Sequence, residues 1–194
     1  YIERCLLSVL NQTWQDLEVI LVNDCTPDGS MQIVKKLISS HPRGAVVRCL
    51  EHEKNKGLSA ARNTGISVSV GDYLYFLDSD DYIPANAIEL LAEAARQKQT
   101  NFVIGNYEVT GARRWAPPLS LGTGLYEGNA LVLSNYVQEK WYVMAWNKLV
   151  SRPFVLQHQL YFQEGIVHED DLWSFKLACM AQSMYVVDET TYYY

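Results

Sequence analysis

The residues of this chain best suited to chemistry are carboxylates, gathered in two knots. Asp78, Asp80 and Asp81 fall within four positions, with Ser79 between the first two. Carboxylates that close repel one another unless a cation or a proton intervenes. Asp78-Ser79-Asp80 suits a hard divalent ion that also holds phosphate oxygens. Asp and Ser are equally ordinary in turns and caps, so a capped turn accounts for the same letters. The second knot, His168-Glu169-Asp170-Asp171, opens a helical pattern. Acids there are favoured by the helix dipole and the free amides, which makes a capping cluster the plainer reading. Three acids behind a histidine nevertheless exceed what a cap needs.

Asp24 stands apart, directly after an apolar run. A nucleotide's ribose hydroxyls and base suit such a lone acid. Its diphosphate, bridged by metal, suits the 78–81 cluster. Lys56 and Arg62 can meet phosphate charge as point and fork donors, or lie on a solvated helix face.

The elements that must position these residues are legible from pattern. Residues 72–77 form an apolar, aromatic run between Gly71 and the acids, the signature of a buried strand. Pro84 takes the place of a first helical position, and 85–97 carries a helical apolar spacing. Upstream, 17–22 reads as a buried strand ending at Asn23-Asp24, and 25–30 as a dense turn cluster. A helix over 31–40 turns Ile33, Val34, Leu37 and Ile38 inward, and 46–50 gives another strand. Gly57 then opens a small-residue helix that carries Arg62. This alternation predicts parallel βαβ units with right-handed crossovers. Asp24 and the 78–81 cluster would then end parallel strands on one edge of the sheet, where open α/β sheets bind ligands.

The second half changes character. A strand over 101–105 leads into a turn-rich stretch from 111 to 124 containing Trp115-Ala116-Pro117-Pro118. Residues 126–138 read as helix, and 141–150 are aromatic and apolar around Asn147-Lys148. The helix opened by the second knot has Leu172, Phe175, Leu177, Cys179 and Met180 on its apolar face, and the chain closes on a strand. This half reads as a region that covers the crevice and contacts a second substrate.

Composition narrows the classes. With 194 residues the chain can build a proper core. A net charge of -6 without a basic stripe argues against a general nucleic-acid binder. The scattered Cys5, Cys25, Cys49 and Cys179 show no paired ligand spacing and fit reduced cysteines in the cytoplasm. No apolar run reaches transmembrane length. Tyr1 falls inside a helical pattern without a cap and Tyr194 ends a strand pattern, so elements are expected to be missing at both ends.

Taken together the motifs resemble family 2 glycosyltransferases of bacterial polysaccharide pathways. The resemblance is carried by the run from Ser8 through Gln12-Thr13 to Asn23-Asp24, by Asn55-Lys56-Gly57-Leu58-Ser59-Ala60-Ala61-Arg62-Asn63, by Phe76-Leu77-Asp78-Ser79-Asp80-Asp81, by Trp146-Asn147-Lys148-Leu149 and by His168-Glu169-Asp170. The five occur in family order over nearly the whole chain. The resemblance implies a GT-A fold, an α/β Rossmann-like, mostly parallel sheet flanked by helices. Residues 1–105 would form the nucleotide-sugar-binding half and 106–194 the acceptor-side half of the same domain. It implies inverting transfer from a nucleotide-sugar, most commonly a UDP-sugar, to a saccharide or lipid-linked saccharide, assisted by Mg²⁺ or Mn²⁺.

Carried over by position, Asp24 holds the uracil or ribose, with Lys56 and Arg62 also on the donor side. Asp78 and Asp80 form the Asp-x-Asp motif, Asp80 being the chief metal ligand and Asp81 able to share the task. Asp170, paired with Glu169, matches the general base. Lys148 lies in a motif near the acceptor side. The family's opening strand, which also touches the nucleotide, precedes what this sequence contains. Asn23 and Cys25 depart from the acid and glycine more usual beside Asp24. A sugar nucleotidyltransferase or a catalytically inactive nucleotide-sugar-binding homologue are the rival readings; the second knot argues against the former and the retained acids against the latter. Association with the inner face of a membrane, through residues 141–149, is weighed against packing of that segment as an acceptor lid.

Overall fold

The computed structural model describes residues 1–111 and 119–194; Trp115-Ala116-Pro117-Pro118 lies outside the described residues. In chain order the main elements are α1 (Ile2–Leu10), β1 (Val19–Asn23), α2 (Ser30–Ser40), β2 (Val47–Glu51), α3 (Leu58–Val68), β3 (Tyr73–Tyr75) and α4 (Ala87–Lys98). They continue with β4 (Phe102–Glu108), β5 (Gly124–Glu127), α5 (Asn129–Val137), β6 (Lys148–Ser151), α6 (Arg152–Gln157), α7 (Glu169–Met180) and β7 (Ser183–Tyr193). The boundary expected between residues 105 and 106 falls inside β4, so the two halves share one sheet.

The sheet corrects the simple parallel picture. β1 and β2 form a parallel pair of their own, Val19 opposite Val47. β3 belongs to a second sheet of order β3-β6-β4-β7-β5. There it pairs antiparallel with β6, Leu74 opposite Val150, so Asp24 and the 78–81 cluster do not end parallel neighbours. The ladder also stops at Tyr75, leaving Phe76 and Leu77 outside the strand expected over 72–77. Between β1 and β3 lies a cleft of about 1060 Å³, lined by Ile20, Val22, Tyr73, Tyr75 and Leu149. Each of these two strands has one edge unpaired among the described residues.

Several helical expectations shift by a turn. Asn86 precedes the first residue of α4, and Pro84 instead accepts a turn hydrogen bond from Ala87, so proline does not open the helix. Tyr126 and Glu127, expected to begin a helix, belong instead to β5, because 124–127 pair with 183–186 of β7. On α7 the inward residues are Trp173, Ser174, Leu177 and Ala178, whereas Phe175 and Met180 are exposed. Ile33 of α2 is likewise exposed while Val34 is fully buried. Val34, Leu37 and Ile38 of α2 and Leu177 of α7 do pack inward as expected, whereas Ile33, Phe175 and Met180 are apolar residues on the outer face.

The core gathers Phe102, Ile104, Trp141, Tyr142, Trp146, Val150, Trp173 and Tyr192 around the five-stranded sheet. Residues 141–149 are largely interior: Trp141, Tyr142, Ala145, Trp146, Asn147, Lys148 and Leu149 are all buried, which favours packing over membrane contact for this stretch. At Gly105 an added Cβ would lie 1.8 Å from the Thr191 hydroxyl, so only glycine lets β4 and β7 approach there. Among the described residues no helix is long and apolar enough to cross a membrane.

Candidate active site

The site is built on α3. Gly57, at φ +89°, makes the turn that starts the helix, a conformation that a side chain strains. Asp24, just past β1, holds that turn: its carboxylate accepts the Lys56 amide at 2.8 Å and the Gly57 amide at 2.7 Å. The ring of His52 sits between Asp24 Oδ1, 2.7 Å from Nδ1, and Thr64 Oγ1, 2.9 Å from Nε2. Burial raises the Asp24 pKa, but the bonds from His52, Lys56 and Gly57 outweigh it and leave it below the ordinary carboxylate value. Asp24 thus fastens β1 to α3 whatever else it binds. Its buried partner His52 was not singled out from sequence, where a lone histidine after a strand carries no motif.

One turn into α3, Arg62 departs from the solvated-face reading. It is only 7% exposed, and its guanidinium is shared by both acidic knots. Nη2 meets Asp78 Oδ1 at 3.0 Å, while Nη1 meets Glu169 Oε1 at 3.1 Å and also bonds Asp170 Oδ1. Burial alone lowers the Arg62 pKa, and Asp78 and Asp170 more than reverse that. Burial likewise raises the Asp78 pKa, with Arg62 pulling the other way. Lys56 is exposed and contributes its backbone amide rather than its ammonium.

The second knot is set by the same helix. Asn63 exchanges two 2.8 Å bonds with the Phe162 backbone, and Ser59 donates to the Gln163 carbonyl at 2.8 Å. The Phe162 ring stacks on Trp173 at 5.0 Å, and Phe76 meets both rings edge-on. Strand exit, loop and α7 are thereby fixed to one another beneath the acids. His168 precedes α7 in a left-handed conformation, and its side chain makes no cap hydrogen bond. Glu169 and Asp170 turn to Arg62 instead of capping.

The first knot divides by position. Asp80 is exposed, and among the described residues its carboxylate takes no side-chain hydrogen bond or ion pair. Asp81 is 5% exposed and accepts the Tyr192 hydroxyl at 2.6 Å. Burial pushes its pKa up to about 6. Among the described residues no three metal-ligating side chains converge. That donor set, one free carboxylate beside a second tied to Arg62, fits an ion that takes most of its oxygens from a diphosphate and water.

Lys148 is wholly buried, with Nζ donating to the Tyr142 carbonyl at 3.0 Å and to that of Met144. Burial drives its pKa down to about 7. Next to it Asn147, itself left-handed, bonds the Gly105 and Asn106 carbonyls and accepts from Thr191. The Trp146-Asn147-Lys148 motif therefore ties the sheet to the 142–146 loop.

Comparison with known proteins identifies the family and the fold. Residues 1–153 match the family described as glycosyl transferase family 2. Across the full chain it is 34% identical to glycosyltransferase EpsJ of Bacillus subtilis, covering 57% of that protein. The structure of S. aureus TarS in complex with UDP superposes with a TM-score of 0.85 at 23% identity, covering all of this chain and 56% of that one. GalNAc-T7, solved with UDP, GalNAc and Mn²⁺, gives a TM-score of 0.64 at 16% identity over 96% of this chain and 41% of that one. The chain spans 57% of EpsJ and 28% of glycosyltransferase GlyA of Streptococcus pneumoniae, each of which it matches across its whole length. With its α/β GT-A fold and its match over residues 1–153, the chain belongs to glycosyl transferase family 2.

Proposed function

We propose that this chain carries the catalytic core of an inverting, metal-dependent glycosyltransferase of bacterial cell-surface polysaccharide synthesis. It moves a sugar from a UDP-sugar to a hydroxyl of a saccharide or lipid-linked saccharide. Residues 1–105 serve the donor and 106–194 the acceptor. The observation that carries the reading is the Arg62 junction, where one buried guanidinium joins Asp78 of the first knot to Glu169 and Asp170 of the second. Single displacement needs a charge-neutralising site for the departing diphosphate and a base on the opposite face. One side chain fixes those two sites relative to each other. TarS has been solved with UDP and with UDP-GlcNAc, which supports a uridine donor.

In this scheme Asp80, with Asp78, would hold Mg²⁺ or Mn²⁺, which when bound would supply Lewis-acid neutralisation of the leaving diphosphate. Asp24 borders the uracil or ribose through the turn it holds. Asp170 takes the acceptor's proton as the new C–O bond forms and the bond to the β-phosphate oxygen breaks. Glu169 shares Arg62 with it and keeps that end of the fork in place. The cleft between β1 and β3 is suited to an additional strand, which would bring Asp24 and the first knot onto one continuous sheet.

Calorimetric titration with UDP, in Mn²⁺ and in EDTA, tests the donor site. UDP is expected to bind about tenfold or more tighter with Mn²⁺, a coupling that Asp80→Ala abolishes. Failure of any uridine nucleotide to bind would overturn the transferase reading.

A further inference from the structure

The turn that carries the first knot is fastened from behind by the end of β7. The Tyr192 hydroxyl donates to Asp81 Oδ2 at 2.6 Å and accepts the Asp78 amide at 3.3 Å, so it touches both ends of the turn. The turn itself is closed by the Asp81 amide on the Asp78 carbonyl at 3.2 Å. Tyr192 has no exposed surface, and its ring lies flat on Trp146, 4.3 Å away with 6° between planes. The next residue adds a second tie: Tyr193 and Tyr82 exchange backbone bonds of 2.9 and 3.2 Å, and their rings stack at 4.7 Å. Pinned at its first and last residues, the turn leaves Asp80 to project into solvent and Asp78 to face Arg62.

From this arrangement we infer that Tyr192 is a positioning residue for the diphosphate-metal turn, and that Asp81 is its buried anchor rather than a metal ligand. A carboxylate buried behind the turn and held by a hydroxyl is poorly placed to share an ion with exposed Asp80. A hydroxyl serving as donor to one end and acceptor to the other fixes the separation of the turn's ends more tightly than either bond alone. The aromatic stack then links the turn to the Trp146-Asn147-Lys148 motif. That gives this motif a route to the donor site without touching the donor. The inference rests on the donor reading above.

The test compares UDP affinity in Mn²⁺ and in EDTA for the wild type, Tyr192→Phe and Asp81→Asn, with thermal melts to confirm folding. Tyr192→Phe keeps the stacked ring and removes only the hydroxyl. It is expected to cut the Mn²⁺-dependent gain in affinity roughly tenfold while leaving the EDTA value nearly unchanged, since an unpartnered amide and carboxylate let the turn relax. A merely structural loss would lower the melting temperature without moving the ratio of the two affinities. Asp81→Asn keeps an oxygen for the Tyr192 hydroxyl and is expected to retain most of the Mn²⁺-dependent gain. Collapse of that gain in Asp81→Asn to the level of Asp80→Ala would make Asp81 a ligand and overturn the anchor assignment. Full retention of the gain by folded Tyr192→Phe would overturn the role of Tyr192. A wild type whose UDP affinity ignores Mn²⁺ would overturn the metal-assisted donor reading itself, and this inference with it.

Discussion

Asp170→Asn is expected to slow sugar transfer by about 10²–10⁴-fold, the usual worth of a positioned general base. UDP affinity should stay close to that of the wild type, because the donor contacts proposed here lie with Asp24, Asp78 and Asp80. The substitution is nearly isosteric, and its remaining oxygen can still accept from Arg62, so the junction should hold. What disappears is the carboxylate's capacity to take the acceptor's proton. The pattern to look for is a fall in kcat with little change in donor binding, the mark of an interaction made in the transition state. Near-normal turnover would place the base elsewhere, with Glu169, the other acid on Arg62 Nη1, the first residue to test.

The second large effect is on stability. Arg62→Met removes the cation shared by three carboxylates whose side chains are between 16% and 27% exposed. Breaking a buried ionic group by removing one member costs about 3–5 kcal/mol, on the order of 10 °C in melting temperature for a chain of this size. Residual hydration of the carboxylates favours the lower end. The pH dependence has a definite sign. Burial already raises the pKa of Asp78, and without the guanidinium to oppose it the folded-state value rises further. A carboxylate whose folded pKa lies above its unfolded one binds extra protons when folded, so the variant should regain stability as the pH falls through that raised value. Melts of both proteins from pH 8 to pH 5 should therefore converge; parallel curves would show that Arg62 does not hold these acids together.

The sequence was most informative where chemistry and local pattern coincide. The apolar run before Asn23-Asp24, the glycine turn at Gly57 and the position of both acidic knots follow from short-range rules. Strand neighbours do not. β3 lies beside β6, some 75 residues away along the chain, and nothing in the three residues of its ladder names that partner. Arg62 was visible as a cation, but a guanidinium at the fifth residue of a helix could serve a ligand or three acids equally well. The pairing is a property of how α3 crosses the knots. Residues 141–149 left membrane contact and lid packing both open in the sequence, because aromatic residues suit interfaces and cores alike. The satisfied bonds of Asn147 and Lys148 are what make burial tolerable there. Tyr192 carried no signal at all: one tyrosine in a terminal run of three gives no hint that its hydroxyl spans an acidic turn.

The most direct measurement is the configuration at the anomeric carbon of the first product. Proton NMR can follow release of sugar from α-configured UDP-sugars in the presence of Mn²⁺, with water as acceptor and before mutarotation. A β-configured product appearing first is the expected result, since Asp170 can act only on a nucleophile attacking from the face opposite the diphosphate. An α-configured product appearing first would contradict single displacement and the general-base role of Asp170.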